Sequence, residues 1–179
     1  MPTGRRLDCG LRCALPVILL AAGLLTGCAG LRGGYVPVGI GEVVVLKPQT
    51  VPAGRARTFY QAGGSVARVD VYEPYCELEI NTVADHPQTI APGRFRVVRG
   101  GTALLSDPDA RLPIFGPFVD VGCGDEIYYE VDYRLSSAAQ PGVRQLRCRQ
   151  AFPACGPGAF RYPSKEVVQD TLGEAFFIE

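Results

Sequence analysis

The strongest constraint on the fold is a two-residue alternation of apolar and polar side chains. This spacing is typical of a β-strand with one face in the core. It occurs over 76–83, 94–99 and 143–150, a β-branched apolar run at 42–47 adds a further strand, and Gly and Pro separate these segments. The chain is therefore predicted to be mainly β, as a small antiparallel β-sandwich or open barrel. The longest example, 126–135, places on one face Ile127, Tyr129, Val131, Tyr133 and Leu135.

Two local signals add detail to this prediction. Gly63-Gly64 between the segments 55–61 and 68–72 predicts a β-hairpin. Near the C-terminus, Ser164 as N-cap and Gly173 as terminator predict one short helix over 165–172. The apolar tail at 176–178 is then expected to pack back on the sheet.

The N-terminus carries a targeting signal. Arg5, Arg6 and Arg12 precede an uncharged apolar run, Cys13–Leu25. A membrane-spanning helix needs about 20 apolar residues, so this run is too short to cross a bilayer and has the length of a signal-peptide core. The stretch that follows, Leu25-Thr26-Gly27-Cys28, resembles the lipobox of bacterial lipoproteins.

That resemblance implies cleavage after Gly27 and attachment of lipid to the Cys28 thiol. Acyl chains on Cys28 would anchor the chain to membrane lipid. Lipoproteins of this kind that are retained at the inner membrane commonly carry Asp directly after the lipidated Cys. This chain has Ala29 at that position, so the resemblance implies an anchor in the outer membrane, with the domain facing the periplasm. The expected organisation is a signal peptide (1–27), a lipidated Cys with a Gly-rich tether (28–41) and a β-rich globular domain (42–179).

Charge excludes one class of partner. The whole chain is formally neutral, and removal of 1–27 takes away three arginines and one aspartate, which leaves 15 basic and 17 acidic residues. A nucleic-acid-binding protein needs a basic excess on one face, so no nucleic-acid partner is expected. The sequence also has no phosphate-binding loop or metal-binding motif, and no cofactor or metal is predicted.

The cysteines predict crosslinks. Once Cys9 and Cys13 leave with the signal and Cys28 carries lipid, four remain, which in an oxidising compartment implies two disulfides. The preferred pairing joins two strand cysteines, Cys76–Cys148, and two loop cysteines, Cys123–Cys155. The rival pairing is Cys148–Cys155 with Cys76–Cys123.

The polar face of segment 126–135 is the main candidate for chemistry. Glu126, Glu130 and Asp132 could act as acid and base or bind a cation, although any solvated sheet face also carries such residues. Alternation leaves Tyr72, Tyr75 and Tyr128 on the surface, and with Glu130 and Asp132 they form a candidate binding surface. The single histidine, His86, lies in a polar loop beside a proline and is not predicted to be catalytic.

Three further pieces, PYCELEI, APGRFRVV and LSSAAQPGVRQLRC before a helix ending in LG, resemble a group of uncharacterised proteobacterial lipoproteins over about 50–175. The shared motifs are structural, so the resemblance implies no catalytic residue. It does support the Cys76–Cys148 pairing, and Cys123 and Cys155 are where this chain departs from the group.

Two functional hypotheses follow. The first is a non-enzymatic envelope lipoprotein, a module for binding, assembly or maintenance of the envelope. The alternative is a membrane-tethered hydrolase or cation-binding enzyme that uses Glu126, Glu130 and Asp132. Geometry distinguishes them, because an enzyme would gather these carboxylates in a concave, partly buried pocket.

Overall fold

The computed structural model of the chain describes residues 39–105, 126–153 and 162–179. Ten strands and one helix, α1 (Lys165–Leu172), make up these ranges, and a 3-10 turn at Gly173–Ala175 joins α1 to the last strand. The strands are β1 (Glu42–Val45), β2 (Gln49–Val51), β3 (Arg57–Gln61), β4 (Gly64–Val66), β5 (Tyr75–Ile80), β6 (Gln88–Ile90), β7 (Gly93–Leu105), β8 (Glu126–Ser136), β9 (Val143–Pro153) and β10 (Phe176–Ile178).

Eight of the strands form one antiparallel sheet in the order β10-β1-β7-β8-β9-β5-β3-β4. This sheet curls into a half-barrel, and β2 and β6 form a separate two-stranded ribbon. The prediction of a mainly β domain with one short C-terminal helix and a disulfide is confirmed.

The core lies inside the curl. All five alternating residues of β8, Ile127 to Leu135, are buried as predicted. The rings of Tyr60 on β3 and Phe176 on β10 meet edge to face at 4.8 Å, although five strands separate β3 from β10 in the sheet order. The curl therefore brings the two ends of the sheet together. Val168 and Leu172 of α1 are fully buried in the same core.

The predicted hairpin forms, but its second strand is shorter and earlier than expected. Ala62 and Gly63 both have positive φ, 51° and 81°, so a two-residue turn reverses the chain. Pairing resumes at once at Gly64 and ends at Val66. The expected strand at 68–72 was wrong: the Gln61 side-chain amide binds the backbone around Asp70 and holds that segment as a loop.

The C-terminal predictions are confirmed. Helix α1 spans the expected residues, the Ser164 hydroxyl accepts a hydrogen bond from the Val167 amide, and Gly173 ends the helix at φ 68°. The apolar tail pairs with β1 as β10, and it buries Phe176 and Ile178. Within the described ranges, no helix is both long and apolar enough to cross a membrane.

One of the two predicted disulfides lies in the described ranges. Cys76 on β5 and Cys148 on β9 are direct cross-strand partners, and their sulfur atoms are bonded. Cys123 and Cys155 lie outside the described residues, as do Cys28 and the rest of the predicted targeting signal.

Candidate functional site

The candidate binding residues map largely onto the outer, convex face of the sheet, opposite the core. Strands β8, β9 and β5 are consecutive neighbours, so their polar residues form rows across this face. One row joins Glu130, Arg149 and Tyr75, and the next joins Asp132, Arg147 and Glu77. Acidic and basic side chains therefore alternate from strand to strand. We call this surface the ion-pair ladder.

In the first row, Arg149 joins two residues of the predicted surface. Its Nε donates to Glu130 at 2.6 Å and its Nη1 to the Tyr75 hydroxyl at 3.3 Å. The side chains of Arg149 and Glu130 are only 9% and 11% exposed. Burial disfavours the charged guanidinium, but Glu130 and Tyr75 outweigh burial and raise the pKa of Arg149. Glu130 is thus held in a charge-assisted pair.

In the second row, Glu77 is the most buried charge, with 1% of its side chain exposed. It accepts from Arg147 at 2.6 Å and from Arg57 at 3.1 Å. The neighbouring Glu79 binds Arg144 and Arg147. Alternation places Glu77 and Glu79 on the polar face, but it does not predict that Glu77 is buried. The sequence did contain one signal for these ion pairs: segment 77–79 carries acidic residues and segment 144–149 carries basic residues.

Asp132 differs from the other carboxylates of the ladder. It is half-buried, and among described residues it forms no salt bridge within 4.0 Å. It leans over Gly101 of β7, where any larger side chain would collide with its carboxylate. Burial raises the pKa of Asp132, although Arg147, Arg99 and Arg134 act in the opposite direction. Charge on this carboxylate therefore opposes folding.

Replacing Asp132 with asparagine is expected to stabilise the protein at neutral pH. A raised pKa means that the folded state binds the proton more tightly than the unfolded chain does. Protonation of Asp132 therefore stabilises the fold fully below the ordinary pKa of 3.8, and this stabilisation is lost as pH rises. Asn stays neutral throughout. Urea unfolding at several pH values should show a higher free energy of unfolding for Asp132→Asn than for the wild type at neutral pH, and this difference should vanish in acid.

The control for this experiment is Asp85→Asn, since Asp85 is almost fully exposed. Its unfolding midpoint should stay close to that of the wild type across the same pH range. An Asp132→Asn protein that is less stable than the wild type at neutral pH would contradict the burial argument.

Two of the three predicted surface tyrosines are buried. Tyr75 is 3% exposed because its hydroxyl binds Arg149, whose guanidinium lies over the ring at 5.9 Å. Tyr128 is 4% exposed and lies between Leu105 and Ala151 on the two neighbouring strands. The prediction from the two-residue alternation assumed that one face of each strand is solvated. On these central strands, the long side chains of the outer face largely cover that face.

Tyr72 is exposed, as predicted, with 62% of its surface accessible. It belongs to a different feature, the loop between β4 and β5. This loop borders a cleft of about 470 Å³ beside α1. The described residues that line this cleft include three carboxylates (Asp70, Glu73 and Asp170) and no basic side chain; Gln61, Pro74 and Val167 also line it.

The described residues bring together no set of three His, Cys, Asp or Glu side chains that could hold a metal ion. Glu130 is bound to Arg149, and the side chain of Glu126 lies outside the described part of the chain. His86 is exposed and contacts only the adjacent Asp85 among the residues described. The two predicted carboxylates whose side chains are described, Glu130 and Asp132, thus lie on the convex ladder and do not converge in a pocket.

Comparison with protein-family models, with curated proteins and with solved structures finds no match.

Proposed function

We propose that the protein is a lipid-anchored, non-enzymatic binding module of the cell envelope. In this proposal residues 1–27 are removed, Cys28 carries the acyl chains, and the β domain faces the periplasm from the outer membrane. The observation that carries the proposal is the order of basic residues, a short apolar run and Leu25-Thr26-Gly27-Cys28.

The disulfide supports the compartment. Cys76 and Cys148 are bonded across two central strands, and structural disulfides persist mainly in oxidising compartments such as the periplasm. The alternative compartment, the cytosol, keeps most thiols reduced.

The ladder supports binding over catalysis. A general acid or base needs a carboxyl group that can exchange protons with a substrate in a pocket. Glu77 and Glu130 are instead committed to arginines at 2.6 Å, and the ladder lies on the convex face. The hydrolase alternative therefore draws no geometric support from Glu130 or Asp132, the described carboxylates on which it was based.

Mass spectrometry of the protein from its native host tests the anchor. We expect an N-terminal peptide that begins at Cys28 and carries a diacylglycerol and a further acyl chain. Cys28→Ser should abolish the lipid mass and leave residues 1–27 attached, because serine offers no thiol for the thioether.

The matched control is Cys13→Ser, which changes a cysteine in the apolar run and should leave processing intact. A native chain that begins at Met1 with an unmodified Cys28 would refute the proposal.

A further inference from the structure

The outer face also carries three arginines that the ladder does not neutralise. Arg96 and Arg99 lie on β7 and Arg134 on β8, and all three are exposed. None of them forms a salt bridge with any residue that the structure describes; Arg134 reaches only the Gln145 amide, at 3.5 Å. We call these three residues, together with Val98 between them, the arginine ridge.

A β-bulge creates this ridge. The register of β7 against β8 shifts between Val97 and Arg99, so Val98 is the extra residue. Without the shift, strict alternation would turn Arg99 towards the core. With it, Val98 is 52% exposed and Arg99 stands directly opposite Arg134.

Two like charges that are direct cross-strand partners repel each other. Two acidic groups lie beside the ridge on this face: Glu42, the cross-strand partner of Arg96, is paired with Arg94 at 2.7 Å, and the half-buried Asp132 forms no salt bridge with a described arginine. Four arginines (the three of the ridge and Arg94) against three carboxylates (Glu42, Glu179 and Asp132) leave a local excess of one positive charge, on a domain whose overall charge after removal of 1–27 is about −2. Such a patch favours an anionic ligand, and guanidinium groups bind phosphate in bidentate fashion.

The ridge lies where the N-terminal segment joins the domain. Glu42, the first residue of β1, is the cross-strand partner of Arg96, and the Val97 amide donates to the Gly41 carbonyl at 2.9 Å. A tether over 28–41 spans at most about 50 Å. The joining point therefore lies within about 50 Å of whatever surface holds the tether.

We propose that the arginine ridge binds the phosphate groups of anionic lipids at the membrane surface, with Val98 entering the headgroup region. This inference rests on the proposed lipid anchor, which brings the ridge close to that surface. Basic residues close to an anionic bilayer attract it, and an exposed apolar side chain among them adds contact with the lipid.

The test uses the full-length chain with Cys28→Ser, so that no acyl chain contributes. Its binding to phosphatidylcholine vesicles is compared with and without phosphatidylglycerol, and the ratio of the two affinities is the readout. Residues 1–27 are basic and raise the ratio in every variant alike, so their contribution cancels when variants are compared with the parent. We expect the ratio to fall about fivefold for each of Arg96→Gln, Arg99→Gln and Arg134→Gln, and to fall with added salt.

Two control variants test whether the effect depends on the position of the arginines and on their charge. Arg55→Gln with Arg68→Gln removes two exposed charges elsewhere and should leave the ratio unchanged. Arg99→Lys with Arg134→Lys keeps the charge and should retain most of the ratio. Arg99→Gln and Arg134→Gln should unfold at the same temperature as the parent or higher, because each removes a like-charge pair, and Arg96→Gln should unfold close to the parent because Arg96 is exposed and forms no salt bridge with a described residue.

Ridge variants that match the Arg55/Arg68 control would overturn the inference. It would also be overturned if they kept vesicle binding and instead lost salt-sensitive crosslinking to an acidic envelope protein. The two proposals can fail separately. If the native chain carries no lipid but the affinity ratio still depends on the ridge residues, only the proposed anchor is refuted. A lipidated chain with an unchanged ratio refutes the ridge alone.

Discussion

Replacing Arg149 with methionine is expected to lower the free energy of unfolding by about 3–5 kcal/mol. The substitution leaves the Glu130 carboxylate nearly buried and without its partner at 2.6 Å. It also removes the donor that binds the Tyr75 hydroxyl. Methionine fills a similar volume, so the loss reports the uncompensated charge. Denaturant unfolding monitored by circular dichroism measures it.

Arg144→Met is the matched control. Arg144 forms an ion pair of similar length with Glu79, at 2.8 Å, but its side chain is 43% exposed. Exposed pairs contribute less than about 1 kcal/mol, so this variant should stay close to the wild type. The double variant Arg149→Met/Glu130→Leu should recover most of the lost stability, since it removes both charges. Equal losses for Arg149→Met and Arg144→Met would show that burial does not govern the ladder.

Loss of the Cys76–Cys148 disulfide is expected to have an effect of similar size. The bond closes a loop with a sequence separation of 72, and the chain-entropy model assigns such a loop about 4 kcal/mol. That value is a large share of the net stability of a small domain. The double variant Cys76→Ala/Cys148→Ala should therefore unfold at a much lower denaturant concentration.

Reduction provides the control for this second experiment. Dithiothreitol should destabilise the wild type to about the level of the double variant. Any further effect of the reductant on the double variant measures the contribution of the other cysteines, including Cys123 and Cys155. A double variant with an unchanged unfolding midpoint would contradict the entropic argument.

Local patterns predicted the elements well where one physical rule governs them. The period of two defined β8, because its inward residues need the core and no other spacing delivers them there. Ser164 and Gly173 defined α1, because capping depends on the residues themselves. The segment 68–72 failed, because hydrogen bonds from Gln61, which comes from another strand, hold it as a loop.

The candidate site was predicted only in part. Glu130 and Asp132 do lie on the outer face, but sequence alone treated that face as solvated. The residues that bury Glu130 and Tyr75 come from β9, since Arg149 contacts both. Which strands are neighbours decides this, and β5 and β9 are about 70 residues apart in the chain.

The amino-acid sequence by itself determined the strand periodicity and the capped helix, because each depends on residue type and spacing within a short window. The pairing of Cys76 with Cys148 was predicted beside a rival pairing, and the register of β5 against β9 decided it. Tertiary structure alone decided that Glu77 and Glu130 are buried in ion pairs and that a bulge turns Arg99 outward beside Arg134. Those outcomes depend on strand order and register, which long-range packing sets and local propensity does not encode.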